Sequence, residues 1–172
     1  TAIFTLIIIK TLFLDYQKNE YARYIKNSRY WPDATKAWAW LNENTTGNNI
    51  AYVGRPVPFP LYGTSFKNNV YYVSVNSQDP IHLHDLKDSK YRWDSAENMH
   101  KNFEDQGNYR EGADYHLWIE NLKRRKTNLL FIYSLHHTKD VAFPVEERWA
   151  KSNPGQFSSV FSNDTVRIYR IN

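Results

Sequence analysis

Residues 128–134 read Asn-Leu-Leu-Phe-Ile-Tyr-Ser. The apolar residues follow one another with neither alternation nor helical spacing, the pattern of a short buried strand. Residues 49–54, Asn-Ile-Ala-Tyr-Val-Gly, form a second such run stopped by Gly54, and residues 69–75 are β-rich and read as another strand. Between and around these runs lie helical patterns. One opens at Trp31-Pro32-Asp33-Ala34, where Asp33 is placed to cap and Pro32 sits where a missing N–H costs little. Ala34, Ala37, Trp38 and Leu41 then recur at helical spacing, and residues 42–48 end the helix. A second helix is predicted over 113–126, with Leu117, Trp118 and Leu122 as its apolar stripe, and a short third one starts at Pro144. Residues 157–161 and 166–171 flank Asn163-Asp164 as a β-hairpin.

Helices alternating with buried strands predict an α/β fold: a small Rossmann-like layered sandwich, two or three layers deep, with a C-terminal β-hairpin. Residues 55–63 hold three prolines within five positions and are expected to be loop. Residues 76–112 are polar and irregular, with a helical turn expected around 94–105.

The lead does not match the rest. Residues 2–14 are apolar apart from one Lys and two Thr, whereas the mean hydropathy of the whole chain is −0.70. A spanning helix needs ~20 apolar residues, so this run is too short to cross a bilayer alone. It lacks the basic start and small-residue cleavage site of a signal peptide. The expectation is therefore the end of a transmembrane helix, followed at 15–24 by the Tyr and charged residues of an interfacial zone; the alternative is a buried first strand or helix of a soluble domain. This divides the chain into a membrane-helix end and juxtamembrane segment, 1–30, and an α/β domain, 31–172.

Composition narrows the chemistry. The formal charge of +4 is mildly basic and far from that of a dedicated nucleic-acid binder. The absence of cysteine removes thiolate metal sites, iron–sulfur clusters and cysteine nucleophiles. The hydrolase elbow Gly-x-Ser-x-Gly, the glycine-rich phosphate loops and His-Glu-x-x-His do not occur. A soluble hydrolase or nucleotide-binding module is thus the weakest of the functional readings, and no cofactor is expected.

Ligands of open α/β sheets lie beyond the carboxyl ends of the strands. If the strands ending at Gly54 and Ser134 are parallel neighbours, Arg55, Tyr62, His136 and His137 share one rim. A cation, a phenol and two imidazoles there suit a phosphate or sugar hydroxyls. The bland alternative is four ordinary loop residues. His82 and His84 would face one side of a strand, a metal half-site, but two ligands are too few for a stable zinc centre. Adjacent Glu146 and Glu147 point ~100° apart on a helix. Their place in its first turn suits the helix dipole better than paired acid–base catalysis. Lys123-Arg124-Arg125-Lys126 closes a helix, where cations are favourable; contact with anionic headgroups is the less expected role. Asn44-Thr45-Thr46 and Asn163-Asp164-Thr165 fit the glycosylation acceptor pattern, a weak signal in a chain with 17 Asn.

Two stretches carry a resemblance. One is the helix with Trp38 and Leu41, then Ile50-Ala51-Tyr52-Val53-Gly54 and Pro58-Phe59-Pro60-Leu61-Tyr62-Gly63. The other is Pro144-Val145-Glu146-Glu147-Arg148-Trp149, Asn153-Pro154-Gly155-Gln156-Phe157 and Val166-Arg167-Ile168-Tyr169-Arg170. Together they resemble the C-terminal soluble domain of polytopic GT-C type membrane glycosyltransferases related to the dolichyl-phosphate-mannose protein mannosyltransferases. The resemblance implies an extracytoplasmic α/β domain of an enzyme that uses a lipid-phosphate-linked sugar, with Tyr62 and Trp149 near sugar. In that family the catalytic carboxylate lies in an early loop between membrane helices. No position here corresponds to it, so the domain is expected to be non-catalytic by itself. Expected partners are membrane lipid, through the apolar lead, and a glycan or lipid-linked sugar. The competing expectation is a membrane-anchored accessory subunit packed against a larger membrane complex, with the proline-rich loop and surface rings as its interface.

Overall fold

The computed structural model describes residues 10–12, 16, 21–23, 32–54, 57–77, 112–134 and 143–172. Helix α1 spans Pro32–Asn44, strand β1 Asn49–Val53, a 3-10 turn Phe59–Tyr62 and strand β2 Asn69–Tyr72. Helix α2 (Tyr115–Arg124), strand β3 (Leu129–Tyr133) and helix α3 (Val145–Ser152) follow, before strands β4 (Phe157–Ser162) and β5 (Val166–Ile171). The chain is thus α/β, with one five-stranded sheet in the order β2-β1-β3-β5-β4. β2, β1 and β3 run parallel; β5 runs antiparallel to β3, and β4 antiparallel to β5.

Register assigns the faces, because residues directly opposite share one side of a sheet. Tyr52, Phe131 and Ile168 are aligned, and so are Tyr133 and Val166. Their face is covered by α1, whose Trp38 indole N–H donates to the Tyr133 hydroxyl at 2.8 Å. The opposite face carries Leu130, Tyr169 and Phe157 and is covered by α2 and α3. There the Trp118 ring stacks on Phe157 with centroids 5.4 Å apart. All five residues of β3 are buried, as a run without alternation requires when helices lie on both sides. Trp38, Trp118, Phe131 and Tyr133 are among the largest fully buried side chains.

Several local expectations change. The proline-rich segment is not all loop: Phe59–Tyr62 makes one 3-10 turn with Pro60 early in it, where its missing N–H leaves no hydrogen bond unmade. β2 stops at Tyr72, not Val75, because the Ser74 hydroxyl accepts from the N–H groups of Asn76 and Ser77 and turns the chain out of the ladder. On α2, Asn121 and not Leu117 belongs to the buried set with Trp118 and Leu122. The Asn121 amide donates to the carbonyls of Ser74 and Ser77, both at 2.9 Å, and so ties the helix to the strand exit. Asp33 does not cap α1; it lies inside the first turn and bonds Lys36 at 3.2 Å. At the hairpin tip Asn163 Oδ1 accepts from the N–H groups of Thr165 and Val166, and its Nδ2 donates to the Asp33 carbonyl.

β1 and β2 open on asparagine, and Asn128 immediately precedes β3. Asn69 Nδ2 donates to Asn49 Oδ1 at 2.9 Å, Asn128 Oδ1 accepts the Asn49 backbone N–H at 3.0 Å, and Asn49 Nδ2 donates to the Lys126 carbonyl at 2.9 Å. This ladder closes the amino-terminal edge of β1, β2 and β3, where backbone groups would otherwise lack partners.

Among the described residues no helix is long and apolar enough to cross a membrane. Residues 10–12 and 21–23 are helical; 2–9, 13 and 14 of the apolar lead lie outside the described residues. The predicted turn around 94–105 lies outside them too.

Candidate functional site

β1 and β3 are parallel neighbours, so Gly54 and Ser134 leave the sheet side by side. Gly54 has φ +92, and a Cβ built there would lie 2.1 Å from the Tyr133 carbonyl oxygen. Only glycine allows this approach. The Tyr133 hydroxyl, which accepts from Trp38, donates in turn to the Val57 carbonyl at 2.9 Å. The α1 side of this strand end is therefore filled by a hydrogen-bonded ring pair. Arg55, His136 and His137, predicted for this rim, lie outside the described residues.

Tyr62 is not on that rim. β2 is parallel to β1, so the chain must travel back along the sheet before it can start β2. The 3-10 turn is part of that return and delivers Tyr62 to the opposite, amino-terminal edge. There Tyr62 lines an open polar cleft of about 100 Å³ with Asn42, Thr46, Thr64, Ser65 and Lys67. Asn42 Oδ1 accepts from the Thr64 N–H (3.1 Å) and hydroxyl (3.0 Å). Asn68 donates to the Leu61 carbonyl and accepts from the Asn48 N–H. These amides hold the turn in shape, while Thr46, Ser65 and Lys67 are exposed. The Tyr62 ring stacks on Phe66, 6.1 Å between centroids and 14° between planes.

The cleft lining contains hydroxyls, amides, one phenol and one ammonium, and no carboxyl or imidazole. It can hydrogen-bond and stack. At about 100 Å³ it admits the edge of a sugar ring and not a whole disaccharide, since pockets that engulf ligands start near ~300 Å³.

Trp149 is half-buried in a ring cluster between α2 and α3, 5.4 Å from Trp118 and 5.6 Å from Tyr115. The Tyr115 hydroxyl donates to Gln156 Oε1 at 2.6 Å, which pins the rim of the cluster. Packing accounts for Trp149; it stands on a different element and the opposite face from Tyr62.

Glu146 and Glu147 both stand in the first turn of α3, where a dipole role is expected, and Glu146 is buried there as well. It is 0% exposed, whereas its neighbour Glu147 is only half-buried. Burial of one and not the other follows from their ~100° separation on the helix. Glu146 takes part in an interaction with its surroundings. Thr165, 1% exposed, has no hydrogen-bond partner for its hydroxyl among the described residues. Burial raises the Tyr169 phenol above its ordinary value, and the negative charge of Glu147 adds to the rise. Burial likewise raises Tyr71, against the pull of the Thr127 hydroxyl and the Arg125 charge.

Two features escaped the sequence reading. Tyr21, 2% exposed, donates its hydroxyl to the Pro60 carbonyl at 2.9 Å and sets its ring 6.3 Å from Phe59. Tyr21 thus docks on the 3-10 turn. Nothing in the local pattern around Tyr21 marks it as core; the second feature is the asparagine ladder, whose signal is the asparagine that heads each of the apolar runs, at 49, 69 and 128. Among the described residues no group of three His, Cys, Asp or Glu could hold a metal ion; His82 and His84 lie outside them.

No protein family, curated protein or solved structure matches the chain.

Proposed function

We propose that residues 31–172 form the extracytoplasmic domain of a GT-C type membrane glycosyltransferase that takes sugar from a lipid phosphate. The domain is Rossmann-like in its parallel half and non-catalytic by itself. The observation that carries this reading is the polar cleft beside Tyr62. A stacking ring, hydroxyls and amides are the groups that recognise a sugar edge, and the lining holds no carboxyl or imidazole. The domain then helps to hold acceptor or sugar, and the reacting groups belong to a membrane body. Residues 2–14 act as the end of a membrane helix, and Tyr21 joins that segment to the domain.

The second reading is a membrane-anchored accessory subunit packed against a larger membrane complex. Exposure of Phe66 beside Tyr62 favours it, since an aromatic edge of this kind also suits a protein interface.

The test is a titration of the isotope-labelled chain with neutral mono- and oligosaccharides, read by amide chemical shifts. Shifts confined to residues 42–46 and 62–68, abolished in Tyr62→Ala, support the first reading. An unchanged spectrum at millimolar sugar removes the cleft as a sugar site and leaves the accessory subunit.

A further inference from the structure

Three features converge where β1, β2 and β3 begin. The first is a run of rings. Tyr21 lies 6.3 Å from Phe59, Phe59 lies 5.9 Å from Phe66, and Phe66 stacks on Tyr62. Phe66 is exposed and is held at φ +50, a left-handed conformation that bulky residues rarely adopt. The second is positive charge. Lys67, Lys123, Arg124 and Lys126 are exposed at this same edge, because the asparagine ladder links the start of β2 through Asn49 to the carbonyl of Lys126. A helix dipole explains Lys123 and Arg124 in the last turn of α2; it does not explain Lys67 on another element or Lys126 beyond the helix. The third is the attachment of the lead. Tyr21 is pinned to the 3-10 turn only seven residues after Leu14, the last apolar residue of the lead. Seven residues reach at most about 25 Å even when fully extended.

We propose that this amino-terminal edge is the membrane-facing surface of the domain, resting on anionic lipid headgroups with Phe66 at headgroup depth and Lys67, Lys123, Arg124 and Lys126 around it. The proposal rests on the reading of residues 2–14 as membrane-embedded. A short tether keeps the edge near the bilayer, rings prefer the interfacial zone, and cations complement an anionic leaflet. The polar cleft opens at the same edge, so its ligand would be met close to the lipid surface.

The chain has no cysteine, so single nitroxide labels report cleanly. The full chain carrying Leu12→Cys, Phe66→Cys or, as a control, Asp164→Cys at the hairpin tip is reconstituted in vesicles of neutral or mixed neutral–anionic phospholipid. Accessibility to oxygen and to a water-soluble relaxant gives the depth of each label. The expected result is a label at 12 in the hydrocarbon, at 66 among headgroups and at 164 in water. Anionic lipid should draw the label at 66 deeper. Each cation at such a surface is worth roughly fivefold in partition. The combined Lys67→Glu, Lys123→Glu and Lys126→Glu change should therefore abolish the lipid dependence, and added salt should weaken it in the unsubstituted background. A label at 12 in lipid with 66 as aqueous as 164 overturns the docking surface and leaves the membrane reading intact. An aqueous label at 12 in every vesicle overturns the membrane reading, and the docking surface with it.

Discussion

Trp38 and Tyr133, from helix α1 and strand β3, share a buried hydrogen bond of 2.8 Å, and Tyr133 hands its own proton on to the Val57 carbonyl. Two large rings, 95 residues apart in sequence, thereby fix α1 over the sheet and close the loop after β1. Tyr133→Phe keeps the ring and removes an acceptor from a buried indole N–H. The expected loss is ~1–3 kcal/mol, read by denaturant unfolding, or ~2–4 °C in Tm for each kcal/mol. A double-mutant cycle with Trp38→Phe should show a coupling of ~1 kcal/mol; a coupling near zero contradicts the pairing.

Gly54→Ala places a methyl on the Tyr133 carbonyl at a positive φ, so it should be far worse than Gly47→Ala, which meets open space at φ +70. Strain alone predicts ~1–2 kcal/mol at Gly47. At Gly54 the backbone clash adds to this, and the expected outcome is an unfolded or insoluble chain. Equal stabilities for the two variants would show that β1 and β3 do not approach as described.

Burial pushes the Tyr21 phenol up to about 12. The sign follows directly. A phenol that ionises less readily when folded stabilises the docked state fully below pH ~10, its unfolded value, and loses that contribution as pH rises to about 12. Alkaline titration should therefore release the segment around residue 21 from the 3-10 turn within that window. Tyrosinate absorbance should show a late-ionising component that Tyr21→Phe removes. Tyr21 ionising with the exposed tyrosines contradicts the docking.

Asn49 serves the ladder through three contacts, to Asn69, Asn128 and the Lys126 carbonyl. Asn49→Ala should lower stability by ~1–2 kcal/mol, and Asn49→Asp should not rescue it, because an acid cannot donate to the Lys126 carbonyl. Hydrogen exchange at the first amides of β2 and β3 is expected to rise in both variants.

The strands were legible where local pattern and burial agree. Leu129–Tyr133 reads as a strand without alternation because it is covered on both faces. The helices were legible for the same reason, through Trp38, Leu41, Trp118 and Leu122. Loops and contacts set by topology were not. Tyr62 was expected beside the end of β1, but the parallel pairing of β2 carries it to the other edge. Glu146 reads as a first-turn dipole residue, and its burial follows only from the way α3 is turned on the sheet. Tyr21 looks interfacial in sequence and is buried because the 3-10 turn offers it a carbonyl. Of the expected site residues, Tyr62 lines a cleft and Trp149 packs between helices.

The central claim is that this domain helps a membrane glycosyltransferase hold its sugar or acceptor. It is tested most directly by sugar transfer from polyprenyl-phosphate-linked sugar to acceptor, in membranes carrying the whole gene product. Transfer should be present in the unsubstituted protein. In Tyr62→Ala it should fall ~3–10-fold through a raised acceptor KM, the scale of one lost ring contact. Absence of transfer in unsubstituted membranes, or full transfer with unchanged KM in a folded Tyr62→Ala protein, contradicts it.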